Sequence, residues 1–146
     1  MATLLSYPAT RYEAPKILDF SDEKVREEYT PAGFRIFLNI MDEWKVKDAD
    51  ARELLRSIGN GPFYEFKKNA EGKVLDSERL QRISYIVGIY KALRILYDKE
   101  TADGYVHLPN SNRLFGGRTP LEYMKKGGLL AMQSVRRLLD ARRGGI

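Results

Sequence analysis

Residues 76–97 read DSERLQRISYIVGIYKALRILY, and this stretch limits the fold more than any other. Asp76 or Ser77 can cap the start of a helix. Leu80, Ile83, Ile86, Val87, Tyr90, Leu93 and Tyr97 then recur at helical spacing and form one wide face, which Ile89 and Leu96 extend. A helix apolar this far round touches other elements on several sides, so it lies at the centre of a fold. Ser84, Gly88 and Ala92 stand four residues apart on it. Such a strip of small side chains admits a second backbone, from elsewhere in the chain or from a second copy.

The neighbouring segments are helical too. Thr30 and Pro31 resemble an N-cap followed by proline at the first helical position. Phe34, Phe37, Leu38, Met41 and Trp44 follow with helical period. In DADARELLRSI, Asp48 or Asp50 can cap, and Ala51, Leu54, Leu55 and Ile58 can face a core. GNG breaks that helix, and Pro62 opens the short aromatic helix PFYEFKKN. Over the first 30 or so residues, Pro8, Pro15 and Pro31 punctuate a weakly periodic stretch, with a short solvated helix from Ser21 as its one candidate element. No run alternates with period two over more than four residues, so the expected fold class is all-α.

Near the end stands FGGRTPLEYMKKGG, residues 115–128. Thr119, Pro120 and Glu122 spell a capping box with proline at the first helical position. Lys125 and Lys126 suit the negative end of the helix dipole. Gly127 can end the helix in the left-handed conformation, and Gly116 and Gly117 let the chain turn sharply into the cap. The final helix, LLAMQSVRRLLDARR, aligns Met132, Val135, Leu138 and Leu139.

Charge is unevenly spread. Residues 105–146 carry 8 basic and 2 acidic side chains, whereas residues 34–75 carry 8 and 7. A positive field so placed points to a partner met by the last third of the chain. No apolar run approaches 18 residues and no leader pattern is present, so a cytoplasmic protein with no membrane span is expected. Enzyme readings are poor. His107 is the single histidine and cysteine is absent, which excludes multi-histidine and thiolate metal sites. Phosphate-loop, dinucleotide and G-x-S-x-G spacings are missing. No cofactor or catalytic set is expected.

Two short helices joined by a glycine turn have helix-turn-helix proportions, with PFYEFKKN as the recognition helix. Lys45, Lys47, Arg52, Arg56, Lys67 and Lys68 are the candidates for DNA phosphates, and Asn60, Tyr64 and Lys67 for base edges or the adjacent backbone. A dimer would follow from paired half-sites.

LQRISYIVGIYKALRILY, then PN, then FGGRTPLEYMKKGG, then VRRLLDARRG resembles the Xre/MbcA/ParS antitoxins in order and content, from about residue 36 to the end. The resemblance implies an Xre-like helix-turn-helix at 34–75 and a toxin-binding domain at 76–146; the prolines before it mark 1–33 as a flexible segment, and the arginines and glycines at the end mark an inhibitory tail. The resemblance also implies a partner: a RES/ParT-type toxin with an ADP-ribosyltransferase-like fold, whose NAD site the antitoxin blocks. The complex would repress its own operon, as a homodimer or as a hetero-oligomer with toxin. Within the toxin-binding part, Asn110, Arg113, Phe115 and Arg118 around the capped helix, the cationic Arg136, Arg137, Arg142 and Arg143, and the slim Gly144, Gly145 and Ile146 are the expected toxin-facing set. Phe66 and Tyr105 stand where the family commonly has tryptophan, and the turn SIGNG does not align without a gap. A stand-alone helix-turn-helix repressor without a toxin is the alternative. In either case the short capped helix is expected to act as a rigid spacer. It holds Asn110, Arg113 and Arg118 on one side and launches the last helix on the other.

Overall fold

A computed structural model describes residues 18–144. Six α-helices follow in order: α1 Glu23–Glu43, α2 Asp48–Leu54, α3 Asn60–Lys68, α4 Ser77–Leu96, α5 Lys99–Gly104 and α6 Pro120–Arg143. Two 3-10 turns, Tyr105–His107 and Arg113–Phe115, lie between α5 and α6. The described residues contain no strand, as the lack of period-two alternation requires.

α4 is central, packing on α6, α1 and α5. Leu80, Ile83, Ile86, Ile89, Ala92 and Leu93 are all fully buried. Ile89 and Ala92, peripheral in the sequence reading, thus sit mid-face, while Val87, Tyr90, Leu96 and Tyr97 are half-buried. The small-residue strip is occupied from within the chain. A Cβ at Gly88 would lie 1.8 Å from Nη1 of Arg136, so α6 lays an arginine across the gap.

The sequence reading of the first helix is corrected. α1 begins at Glu23, not after Thr30, and Asp22 caps it by accepting from the Lys24 N–H at 2.9 Å. The stretch 23–33 is therefore helical and Pro31 is interior. Proline removes the hydrogen bond to the Glu27 carbonyl, and Glu27 lies on the exposed side of the helix. Thr30 is not a cap. It is fully buried, donates to the Arg26 carbonyl (2.7 Å) and accepts from the Leu75 N–H (3.1 Å), pinning the α3–α4 connection to α1.

α2 starts with Lys47 at the N-cap position, so Asp48 is the first helical residue and favours the helix start through the dipole rather than as a cap. Ala51, Leu54, Leu55 and Ile58 are buried as expected. α3 begins at Asn60, two residues ahead of Pro62. Phe63 and Phe66 anchor it on Phe34 of α1, with ring centroids 5.9 Å and 5.0 Å away.

The turn between α2 and α3 does not rest on its glycines. Arg56 (φ 58°) and Ser57 (φ 52°) are left-handed instead. Side chains of α4 hold them there: Arg79 donates to the Leu55 and Arg56 carbonyls at 2.6 and 3.2 Å, and Arg82 to the Leu54 carbonyl at 3.1 Å. Carbonyls at a helix end lack partners of their own, and cations there oppose the negative dipole end.

Candidate functional site

The capping box at Thr119 forms as its residues demand: Glu122 N–H donates to Thr119 Oγ1 (3.1 Å), and Thr119 N–H donates to Glu122 Oε1 (3.2 Å). Gly116 and Gly117 both take positive φ in the preceding turn. At the other end the stop falls one residue later than expected. Gly128, not Gly127, leaves helical geometry, at φ 64° and ψ −141°, and α6 bends there into residues 120–127 and 129–143.

Between α5 and α6 the chain builds a polar edge. The Tyr97 and Tyr105 rings stack at 6.0 Å. Asn110 Nδ2 donates to the Tyr105 hydroxyl (3.2 Å), and Arg142 Nη1 to the Tyr97 hydroxyl (3.0 Å). Burial pushes the Tyr105 phenol above its ordinary value of 10.0, so it stays a hydroxyl at neutral pH. Asn110 and Arg142, 32 positions apart in the chain, therefore meet on one aromatic pair. Sequence reasoning named both ends of this line but missed the tyrosines that join them. Tyr97 is half-buried and Tyr105 buried, and the one available signal was Tyr105 standing where the family commonly has tryptophan.

Other members of the toxin-facing set scatter. Arg113, Arg118, Arg137 and Arg143 are exposed. Arg118 borders a cavity of about 500 Å³ with Glu53, Glu122, Lys125 and Lys126. Arg136 is half-buried, bonded to Asp140 (2.9 Å) and laid over Gly88. Phe115 is corrected from contact to core: it is fully buried, its ring edge-on to Tyr123 at 5.4 Å. Gly144 ends α6, while Gly145 and Ile146 lie outside the described residues.

On the helix-turn-helix side, Asn60, Tyr64, Lys67 and Lys68 are exposed, and their spacing of four, seven and eight places them on one face of α3. Tyr64 is 60% exposed, an unusual position for so large a ring. Lys67 already bonds Asp48 at 3.0 Å. Arg52 and Arg56 are diverted: Arg52 donates to the Ile58 carbonyl (3.0 Å), and Arg56 pairs with Asp76 (2.9 Å) and Glu78. Both are engaged in holding the turn and its junction with α4. Lys45 and Lys47 are exposed on the α1–α2 connection. Lys45 borders a second cavity, of about 460 Å³, with Trp44 and His107. The His107 ring binds the Trp44 carbonyl at 2.6 Å, a structural role.

Lys125 joins the two parts of the chain, bonding Asp50 (2.7 Å) and Glu53 (3.3 Å) of α2 from the first half of α6. The sequence reading had set it against the helix dipole. Among the described residues no helix is long and apolar enough to cross a membrane.

Comparison with known proteins falls on the same part of the chain. Residues 92–145 match the model of the antitoxin Xre/MbcA/ParS C-terminal toxin-binding domain. This span contains the Tyr97–Tyr105 pair, the Pro-Asn loop, the capping box and all of α6. The uncharacterized protein y4oB of Sinorhizobium fredii (strain NBRC 101917 / NGR234) is 38% identical over 116 residues, covering 79% of this chain and 87% of that protein. No solved structure matches the chain. With a capped helix, a glycine bend and a cationic last helix inside the matched region, the chain belongs to the Xre/MbcA/ParS family of antitoxins, which bind a toxin through this C-terminal part.

Proposed function

We propose that this antitoxin neutralises a RES/ParT-type toxin by covering its NAD site with the edge formed by the Pro-Asn loop and the last turn of α6. The observation that carries the reading is the Asn110–Tyr105–Tyr97–Arg142 line. It places a loop amide and the root of the arginine-rich tail on one surface. Arg137, Arg142 and Arg143 supply a positive field that speeds encounter with an acidic rim. Arg142 and Arg143 close α6, and the three residues that follow reach on the order of 10 Å when extended, enough to enter the mouth of a cleft. Their two glycines leave the segment thin. The chain acts by binding, not by catalysis.

Expressing the reading frame adjacent to the antitoxin gene by itself should stop growth and deplete NAD, and co-expression should restore both. Deleting residues 142–146 should leave the complex intact but release NAD consumption. Full inhibition by the truncated chain would place the block in the folded domain and refute the role of the tail.

DNA autoregulation is the second part of the proposal, supported by the outward face of α3. Asn60, Tyr64 and Lys68 would meet the major groove, and Lys67 would contribute once released from Asp48. The diverted Arg52 and Arg56 reduce the phosphate-contacting set to Lys45, Lys47, Lys67 and Lys68. Binding of an operator as a dimer belongs to the same proposal.

A further inference from the structure

Arg82 carries a charge inside the apolar arc of α4 and is 7% exposed. Its donors converge on two acceptors. Nε and Nη2 both reach Glu78 Oε2 (3.1 and 3.0 Å), and Nη1 reaches the Leu54 carbonyl at the end of α2 (3.1 Å). The same guanidinium fills the space beside the bend of α6: a Cβ built on Gly128 would lie 2.8 Å from Nη2. Glu78 is held in turn by Arg56. Burial raises its carboxyl, but Arg56 and Arg82 outweigh that and keep it below the ordinary value of 4.5. One planar cation thus touches α2, the first turns of α4 and the single non-helical residue of α6.

We propose that Arg82 is a positioning residue for toxin binding, setting through Gly128 the angle at which helix 129–143 leaves the capped helix 120–127. The inference rests on the reading of that last helix as toxin-contacting. Arg82 itself lies ahead of the matched region, residues 92–145, so it acts on the binding surface from outside it. The lever is long. Fifteen residues at 1.5 Å each span about 22 Å, so a 10° change at Gly128 moves the tip of the helix by about 4 Å. Lys125, bonded to Asp50 and Glu53, holds the first half of α6 against α2, while Met132, Val135 and Leu139 bury the second half, so the angle at Gly128 sets how the second half seats in the core.

The chain contains no cysteine, so Lys126→Cys and Ala141→Cys, exposed on either side of Gly128, accept a spin-label pair at unique sites in the full-length protein. With Arg82 present, one narrow distance distribution is expected. Arg82→Ala should shift or broaden it by a few Å, on the lever just worked, while circular dichroism reports unchanged helix content. A folded Arg82→Ala protein with a superimposable distribution overturns the proposal. If that variant fails to fold, Glu78→Gln decides instead. It keeps the shape and weakens the grip on Arg82, and an unchanged width there overturns the proposal equally. In unlabelled protein, Arg82→Ala should weaken affinity for the toxin encoded by the adjacent gene roughly ten-fold or more, about 1.4 kcal/mol. A changed distribution with unchanged toxin affinity would leave the joint standing. It would refute both its role in toxin binding and the assignment of helix 129–143 to the interface.

Discussion

Replacing Gly128 with alanine tests the bend directly, and the structure sets the magnitude. At φ 64° and ψ −141° the backbone lies where only glycine is at ease. A side chain held there costs about 1–3 kcal/mol. The new Cβ also falls 2.8 Å from Nη2 of Arg82, so the guanidinium must withdraw from Glu78 or from the Leu54 carbonyl. A buried group left without its hydrogen bond costs about 1–3 kcal/mol more. Alanine returns about 0.4–1 kcal/mol by restricting the unfolded chain. The net loss is about 1–5 kcal/mol, centred near about 3, a large share of the roughly 5–15 kcal/mol that holds a domain folded. The central value corresponds to a fall in Tm of roughly 5–15 °C for a chain of this size. Urea unfolding, followed by circular dichroism and by the fluorescence of Trp44, measures it. Trp44 is the single tryptophan and is 1% exposed, so it reports on the core. Gly61→Ala is the control. No atom lies within 4 Å of its new Cβ, and alanine in α3 should be neutral or gain up to about 1 kcal/mol. If Gly128→Ala unfolds within about 0.5 kcal/mol of the parent chain, the strain and contact reasoning is wrong.

Thr119→Ala removes the N-cap oxygen and orphans the Glu122 N–H, so stability should fall by about 1 kcal/mol in the same urea assay; no change would mean that water replaces the cap. Replacing Lys67 and Lys68 with alanine together should weaken operator binding evenly across sequences and lower the log–log salt slope by about one to two, with toxin neutralisation intact. A slope unchanged in fluorescence anisotropy would move the DNA surface off α3. Burial pushes the Asp103 carboxyl up, but Lys99 and Arg94 outweigh it and hold the group below the ordinary value of 3.8. Its stabilising contribution is therefore present above about pH 4 and lost as pH falls through the folded value. Asp103→Asn should flatten the acid side of a stability–pH curve, and identical slopes in parent and variant would refute the pairing.

Much of the local architecture is legible in the residues. The Thr119–Glu122 box, the positive φ of Gly116 and Gly117, the burial of Ala51, Leu54, Leu55 and Ile58, and the central place of α4 all depend on groups three or four positions apart. Helical geometry brings such groups together whatever the rest of the chain does. The misread positions depend on distant partners. Pro31 can open a helix or sit inside one. The interior position is accompanied by a bond from the Thr30 side chain to Leu75, 45 residues away. Arg56 and Ser57 accept left-handed backbone because Arg79 and Arg82 reach the end of α2 from α4. Of the paired glycines, 128 bends and not the expected 127, with the Arg82 guanidinium in the space a side chain at 128 would need. Phe115 reads as a surface aromatic until Tyr123 covers it. Periodicity and capping act within one turn of helix, whereas these choices are made by side chains that meet only after the helices have packed.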